Sequence, residues 1–177
     1  RSKSEALYDD GKIKSLTEYN PDGSIVKLSL CDGEDKIKSS TSYNPDGSIA
    51  KQVLSDKNYV RKSHTIYNTD GSIKEQYLFD GQGKLKSQTT NNPDGSKEED
   101  LYYEDGLPKS KTRYNPDGSI AKQILANKQG NPKSQTTNNP DGSKEEYLFD
   151  ENGIPKSQTV YNADGSKEEY LFDENGN

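Results

Sequence analysis

Tryptophan and methionine are absent, phenylalanine occurs three times, and 177 residues contain one cysteine and one histidine. A single Cys31 excludes an intramolecular disulfide and any cysteine-based metal cluster. A single His64, at a variable position, excludes a Ser-His-Asp or Cys-His arrangement repeated along the chain, because each nucleophile needs a base and an orienting group beside it. Apolar residues make up 26% of the chain, against roughly 45–50% in a typical globular domain. A thick two-layer core would lack the side chains to fill it. No apolar run approaches the roughly 20 residues that span a bilayer, so membrane insertion is not expected. The net charge is −6, and Lys and Glu alternate without forming blocks. With no basic stripe to neutralise phosphates, nucleic acid is not an expected partner.

Low hydropathy and high charge alone suggest disorder, but the polar residues are ordered in sequence. Asn-Pro-Asp-Gly-Ser starts at Asn20, Asn44, Asn92, Asn115 and Asn139, with variants at Asn68 (Asn-Thr-Asp-Gly-Ser) and Asn162 (Asn-Ala-Asp-Gly-Ser). The motifs fill 20–24, 44–48, 68–72, 92–96, 115–119, 139–143 and 162–166, separated by 24, 24, 24, 23, 24 and 23 residues. Midway lies a second element, as in Gly83-Lys84-Leu85-Lys86-Ser87-Gln88-Thr89. Each unit therefore holds two turns, and the whole of 1–177 reads as one array of about seven units within a longer protein.

The first turn has a mechanism. Pro presets φ for one corner, Asp takes the next, and Gly accepts the left-handed conformation of a G1 bulge. The second, for example Asp150-Glu151-Asn152-Gly153, reverses the chain again. Seven to nine residues between turns is strand length. The expected fold is all-β: tandem 23/24-residue hairpins in an elongated, antiparallel, twisted meander of about fifteen strands, ~70 Å along the stacking direction at ~4.8 Å per strand. Three outcomes stay open: a flat single layer, a sheet coiled on itself, or a Tyr-bearing face packed on a second copy.

Alternation along a strand assigns faces. Before each Asn-Pro-Asp-Gly turn one face collects Ser15, Thr17 and Tyr19, then Ser39, Thr41 and Tyr43, and then Ser63, Thr65 and Tyr67. The series continues with Ser110, Thr112 and Tyr114, and with Ser157, Thr159 and Tyr161, while Asn91 and Asn138 replace Tyr in two units. The other face carries Lys14, Lys38, Lys62, Lys86, Lys109, Lys133 and Lys156. Acidic residues after the turn are expected across from this Lys column, at about 0.2–1 kcal/mol per pair. Units with the 23-residue period lose one residue after the turn, so bulges of differing size are expected there to preserve the faces.

These patterns offer little to catalysis. Cys31 stands where Ser55, Phe79 and Ala126 stand in other units, which reads as a small strand-end residue. Asp150-Glu151-Asn152-Gly153 has fragments of a calcium loop without its twelve-residue ligand spacing, and tight turns need the same residues. Glu145-Glu146 and Glu168-Glu169 point to opposite faces. No enzyme activity, catalytic residue, cofactor or metal is expected. The Tyr column, Tyr19, Tyr43, Tyr67, Tyr114 and Tyr161, is either a stabilising ladder or an exposed row that binds a protein partner.

Gly83-Lys-Leu-Lys-Ser-Gln88, Leu101-Tyr-Tyr-Glu-Asp-Gly106 and Tyr147-Leu-Phe-Asp-Glu-Asn-Gly153 resemble MORN-like repeats of the antitoxin-component type. Phe172-Asp-Glu-Asn-Gly-Asn177 is similar to the YD repeats of Rhs-type wall proteins. The Asn-Pro-Asp-Gly-Ser turn departs from the MORN-like pattern, which also has Gly pairs absent here. Both resemblances imply an elongated hairpin sheet with a structural or binding role, and neither supplies catalytic residues. The expected function is a non-enzymatic scaffold: a stalk, spacer or surface fibre segment, with an extracellular or bacterial-surface setting. The alternatives are an antitoxin, immunity or adhesin-type binding module using the Tyr rows, and a filament subunit joined through open sheet edges.

Overall fold

The computed structural model describes residues 2–176. The chain forms two compact units, Arg1–Leu85 and Lys86–Asn177. In the first run β1 (Lys3–Asp9), β2 (Lys12–Tyr19), β3 (Ile25–Cys31), β4 (Ile37–Tyr43), β5 (Ile49–Ser55), β6 (Arg61–Tyr67) and β7 (Ile73–Phe79). From the unit boundary onward run β8 (Leu85–Asn91), β9 (Lys97–Tyr102), β10 (Pro108–Tyr114), β11 (Ile120–Ala126), β12 (Pro132–Asn138), β13 (Lys144–Phe149), β14 (Pro155–Tyr161) and β15 (Lys167–Leu171). Within each unit every strand is antiparallel to its chain neighbours, and neither meander closes on itself. No helix is present among the described residues, and so none long and apolar enough to cross a membrane.

Two turn designs set the register. In Asn-Pro-Asp-Gly-Ser the Gly23 N–H donates to the Asn20 carbonyl at 3.0 Å, and the Asn20 N–H donates to the Ser24 carbonyl at 2.8 Å. Gly23 holds φ of +88°, the left-handed corner that an L side chain resists. Side chains lock the loop: the Ser24 N–H and hydroxyl both donate to Asp22 Oδ1, and the Asn20 amide donates to Ser24 Oγ. The second design moves the carboxylate to the first position. Asp80 Oδ1 accepts from the N–H groups of Gln82 and Lys84, and Asp150 Oδ1 from those of Asn152 and Ile154. In both designs an Asp or Asn side chain caps backbone donors that a thin sheet cannot bury, which is why the turns are rich in these residues.

The two periods have a single-residue cause. In the 24-residue units the strand after the turn carries one extra residue: Glu18 pairs with Lys27 and Tyr19 with Ile25, leaving Val26 as a bulge. Ala50, Lys74 and Ala121 occupy the same place in β5, β7 and β11. The 23-residue units omit that residue, and Asn138 pairs with Lys144 and Tyr161 with Lys167 without a break. The expectation of a bulge after the turn in the shorter units is thus corrected: directly after the Asn-Pro-Asp-Gly turn the longer units bulge and the shorter ones do not.

The Lys column is corrected too. Lys38 falls between the pairs Leu30–Ser39 and Cys31–Ile37, and Lys62 between Leu54–Ser63 and Ser55–Arg61. Lys14, Lys109, Lys133 and Lys156 are skipped in the same way. These lysines are bulge residues with nothing directly opposite, so neighbouring acids do not lie across from them. Lys14 still reaches Asp9 of β1 diagonally, at 3.2 Å, and the charge pairs between directly opposed residues use others: Glu18 with Lys27, Asp100 with Lys111 and Glu98 with Arg113.

No hydrophobic side chain is fully buried among the described residues. The buried residues are small hydroxyl ones, among them Thr65 at 5% exposure and Thr112 at 3%. A sheet with two wet faces leaves its ladder hydrogen bonds and cross-strand pairs to carry stability, each pair a fraction of a kcal/mol.

Candidate interaction surface

Directly paired residues share a face, so the register sorts side chains into rows running across the strands. On one face of β2–β7 there are three. The first alternates Ser15, Leu30, Ser39, Leu54, Ser63, Leu78. The middle row runs Thr17, Leu28, Thr41, Gln52, Thr65, Gln76. In the third, Tyr19 is opposite Ile25, Tyr43 opposite Ile49, and Tyr67 opposite Ile73. None of these residues is charged. The leucines stand well out of the sheet, Leu54 at 39% exposure.

Among the ladder residues between the bulges, Glu18, Lys27, Lys51, His64 and Glu75 lie on the opposite face. His64 stacks on Tyr77 with ring centres 5.3 Å apart, and its Nε2 is buried without a hydrogen-bond partner. Burial, followed by the positive charges of Lys51 and Arg61, holds its pKa below the usual imidazole value, with Glu75 opposing. The ring is packed as a neutral aromatic.

In the second unit two of the three rows carry charge. The Leu/Ser row persists, with Ser110 between Leu101 and Leu125 and Ser134 between Leu125 and Leu148. The middle row gains Glu99 beside Thr112 and Glu146 beside Thr136 and Thr159. The third gains Lys97 opposite Tyr114, and Lys144 opposite Tyr161. The 23-residue units, without a bulge directly after the Asn-Pro-Asp-Gly turn, thus place Lys and Glu where the 24-residue units place Ile and Gln. The phenol of Tyr114 donates to Glu99 at 3.1 Å under the Lys97 ammonium, 4.3 Å from the ring centre. Tyr161 repeats the arrangement with Glu146 and Lys144. The Lys144 contact, before any other cause, keeps the Glu146 carboxyl below its ordinary value.

The five tyrosines of the predicted column are therefore half-buried and fall in two classes. Tyr114 and Tyr161 are held by Glu and Lys, and Tyr19 is held likewise by Glu5, at 3.0 Å, and by Lys3. Tyr43 and Tyr67 sit on the uncharged face with phenols that have no hydrogen-bond partner among the described residues. Where Asn replaces Tyr, Asn138 donates to the Ile120 carbonyl at 2.7 Å, so the substitution exchanges ring packing for a backbone tie. Cys31 is half-buried at a strand end, its thiol pKa raised by burial first and then by Asp35 and Asp32.

The leucine row was missed in the sequence reading. Leu30, Leu54, Leu78, Leu101, Leu125, Leu148 and Leu171 recur with the array's own period, and that recurrence was the available signal. It was hidden because the bulge between turn and leucine shifts the apparent alternation.

No family model matches the chain, and no curated protein matches it. Among solved structures, the GtfA/B complex bound to UDP and GlcNAc is 13% identical over 59% of this chain and 20% of that one, with a TM-score of 0.30. S. aureus TarM is 12% identical over 85% and 22%, with a TM-score of 0.29. A porin-like protein from Bacteroides uniformis is 13% identical over 96% and 92%, with a TM-score of 0.21. The chain spans about a fifth of the first two structures. Likenesses at this level carry no argument about function.

Proposed function

We propose that the chain is a non-enzymatic repeat scaffold, a spacer whose span is set by the number of hairpin units, as in a stalk or surface fibre segment. The observation that carries this reading is the absence of a buried hydrophobic core among the described residues, together with pairing only between chain neighbours. Stability is then nearly a sum over units and their interfaces, and units can be added or removed without dismantling a shared core. The resemblance to MORN-like and YD repeats points the same way and supports a bacterial-surface setting.

Repeat insertion tests it. Duplicating 44–67 should raise unfolding free energy by a constant increment. It should also lengthen the distance between flanking labels by two strand spacings, ~9.6 Å. Loss of cooperative folding on insertion, or a turnover that survives purification, overturns the reading.

The uncharged rows of β2–β7, with the unpartnered phenols of Tyr43 and Tyr67, favour a second role as a protein-recognition surface. Alanine at Tyr19, Tyr43 and Tyr67 should then abolish partner binding while the β signal remains. Loss of folding in that variant counts for a purely structural ladder.

A further inference from the structure

The scaffold reading leaves open what, if anything, covers the uncharged face of β2–β7, and the inference below rests on that reading. On this face large and small residues alternate from strand to strand in two of the three rows: Leu with Ser, and Tyr with Ile. A surface that fills those gaps must have the same ~4.8 Å strand spacing and the opposite alternation. The face itself has both when its strand order is reversed.

We propose that this face docks on the same face of a second copy of the chain, about a two-fold axis parallel to the strands and midway between β4 and β5. The rotation keeps each row over itself and reverses the strand order. Six strands make an even number, so every even-numbered strand meets an odd-numbered one. Ser39 then faces Leu54 of the other copy, Thr41 faces Gln52, and Tyr43 faces Ile49. The contact is isologous and closes at two chains.

Two further properties fit this occupant. Six strands at ~4.8 Å, each about seven residues of ~3.4 Å, present roughly 700 Å² per copy, or ~1,400 Å² in the pair, within the range of stable specific interfaces. Packed sheets cross at about −30°, so the match is tightest at the central strands β4 and β5, where these pairs lie. Charge segregates accordingly. Burying these three rows strands no ion, whereas the matching rows of the second unit would bury Glu99, Glu146 and Lys97. An acidic or basic partner has nothing to pair with here, and a second copy needs no charge.

Sedimentation equilibrium of the full chain over a concentration series tests the proposal. A monomer–dimer equilibrium is expected. Leu54→Asp should weaken it by at least ~100-fold, since the symmetric contact takes the unpaired carboxylate twice. Leu125→Asp, equally exposed at 39% in the same row of the second unit, should leave it unchanged. Ser39→Leu alone should also weaken the dimer, by setting leucine against leucine. Ser39→Leu combined with Leu54→Ser should restore it, and this exchange decides the matter if Leu54→Asp lowers the β signal.

A monomer at every concentration, growth past two chains, equal losses for Leu54→Asp and Leu125→Asp, or no rescue by the exchange each overturns the proposal. A monomer whose repeats still add constant increments of stability overturns the docking alone and leaves the scaffold reading standing.

Discussion

The phenol of Tyr59 donates a hydrogen bond to Oδ2 of Asp32, 27 residues away, joining two successive turns of the same design. Tyr59 takes φ of +64° where later turns of this design have glycine, such as Gly83 and Gly153, and where the turn at 32–36 has Asp35 at +61°, a conformation that a bulky side chain adopts at a cost. The Lys36 ammonium, 4.4 Å from the ring centre, and Asp32 hold it there. Asp32, through the hydrogen bond first, pushes the Tyr59 phenol up to about 12, and the phenol in turn holds the Asp32 carboxyl below its usual value. A raised phenol pKa contributes stability that is complete below the unfolded value of 10 and is lost as pH climbs from 10 to 12. Denaturant midpoints of the native chain should fall across that window. Tyr59→Phe should lower the midpoint at neutral pH and flatten the alkaline fall.

His64 gives the opposite response. Its folded pKa lies below the unfolded value of 6.5 because of burial, so the unfolded chain takes up the proton first. Stability should fall as pH drops through 6.5 and level off below the folded pKa. His64→Phe keeps the stack on Tyr77 and removes the unsatisfied Nε2, so the variant should show no such fall. A slope unchanged in the variant would place the acid sensitivity elsewhere.

The turn glycines are separable by φ alone. At Gly118, with φ of +84°, a Cβ would meet nothing within 4 Å, so Gly118→Ala tests backbone conformation without a clash. It should cost about 1–2 kcal/mol. Gly33 has equal space but no left-handed φ. Gly33→Ala should stabilise by about 0.4–1 kcal/mol through the unfolded state. Urea denaturation of the pair reads the difference directly.

Much of this fold was legible because turn chemistry is local. Asn-Pro-Asp-Gly-Ser contains its own hydrogen-bond partners, so its spacing yielded strand number and order, and alternation placed Ser39, Thr41 and Tyr43 on one face. What the sequence hid is non-local. Lys38 and Lys62 look like a charge column until the register of the neighbouring strand makes them bulge residues. Leu54 looks like an isolated apolar residue until pairing sets it between Ser39 and Ser63. The sorting of charge between the two faces depends on whether one residue is present after the turn, which a face-by-face count cannot show without the bulge.

That single residue gives the sharpest test of register. In β11, Arg113 pairs with Lys122 and Tyr114 with Ile120, with Ala121 extra between them. Deleting Ala121 turns this 24-residue unit into the 23-residue form already present in β13, where Thr137 pairs with Glu145 and Asn138 with Lys144. The face assignments on either side survive, and the loss should stay below about 1 kcal/mol, within the usual range for point changes. Deleting Ile124 instead removes a residue from the regular ladder, where it lies between Lys111 and Gln135. Every residue on one side of the gap then turns to the wrong face: either Gln123 leaves the Thr row or Leu125 leaves its place beside Ser110 and Ser134. That deletion should cost more than about 3 kcal/mol, or unfold the local hairpins, as a change that breaks register and packing together does. Equal tolerance of the two deletions, measured by urea denaturation with hydrogen exchange at β10–β12, would mean that the bulge does not control which side chains share a face.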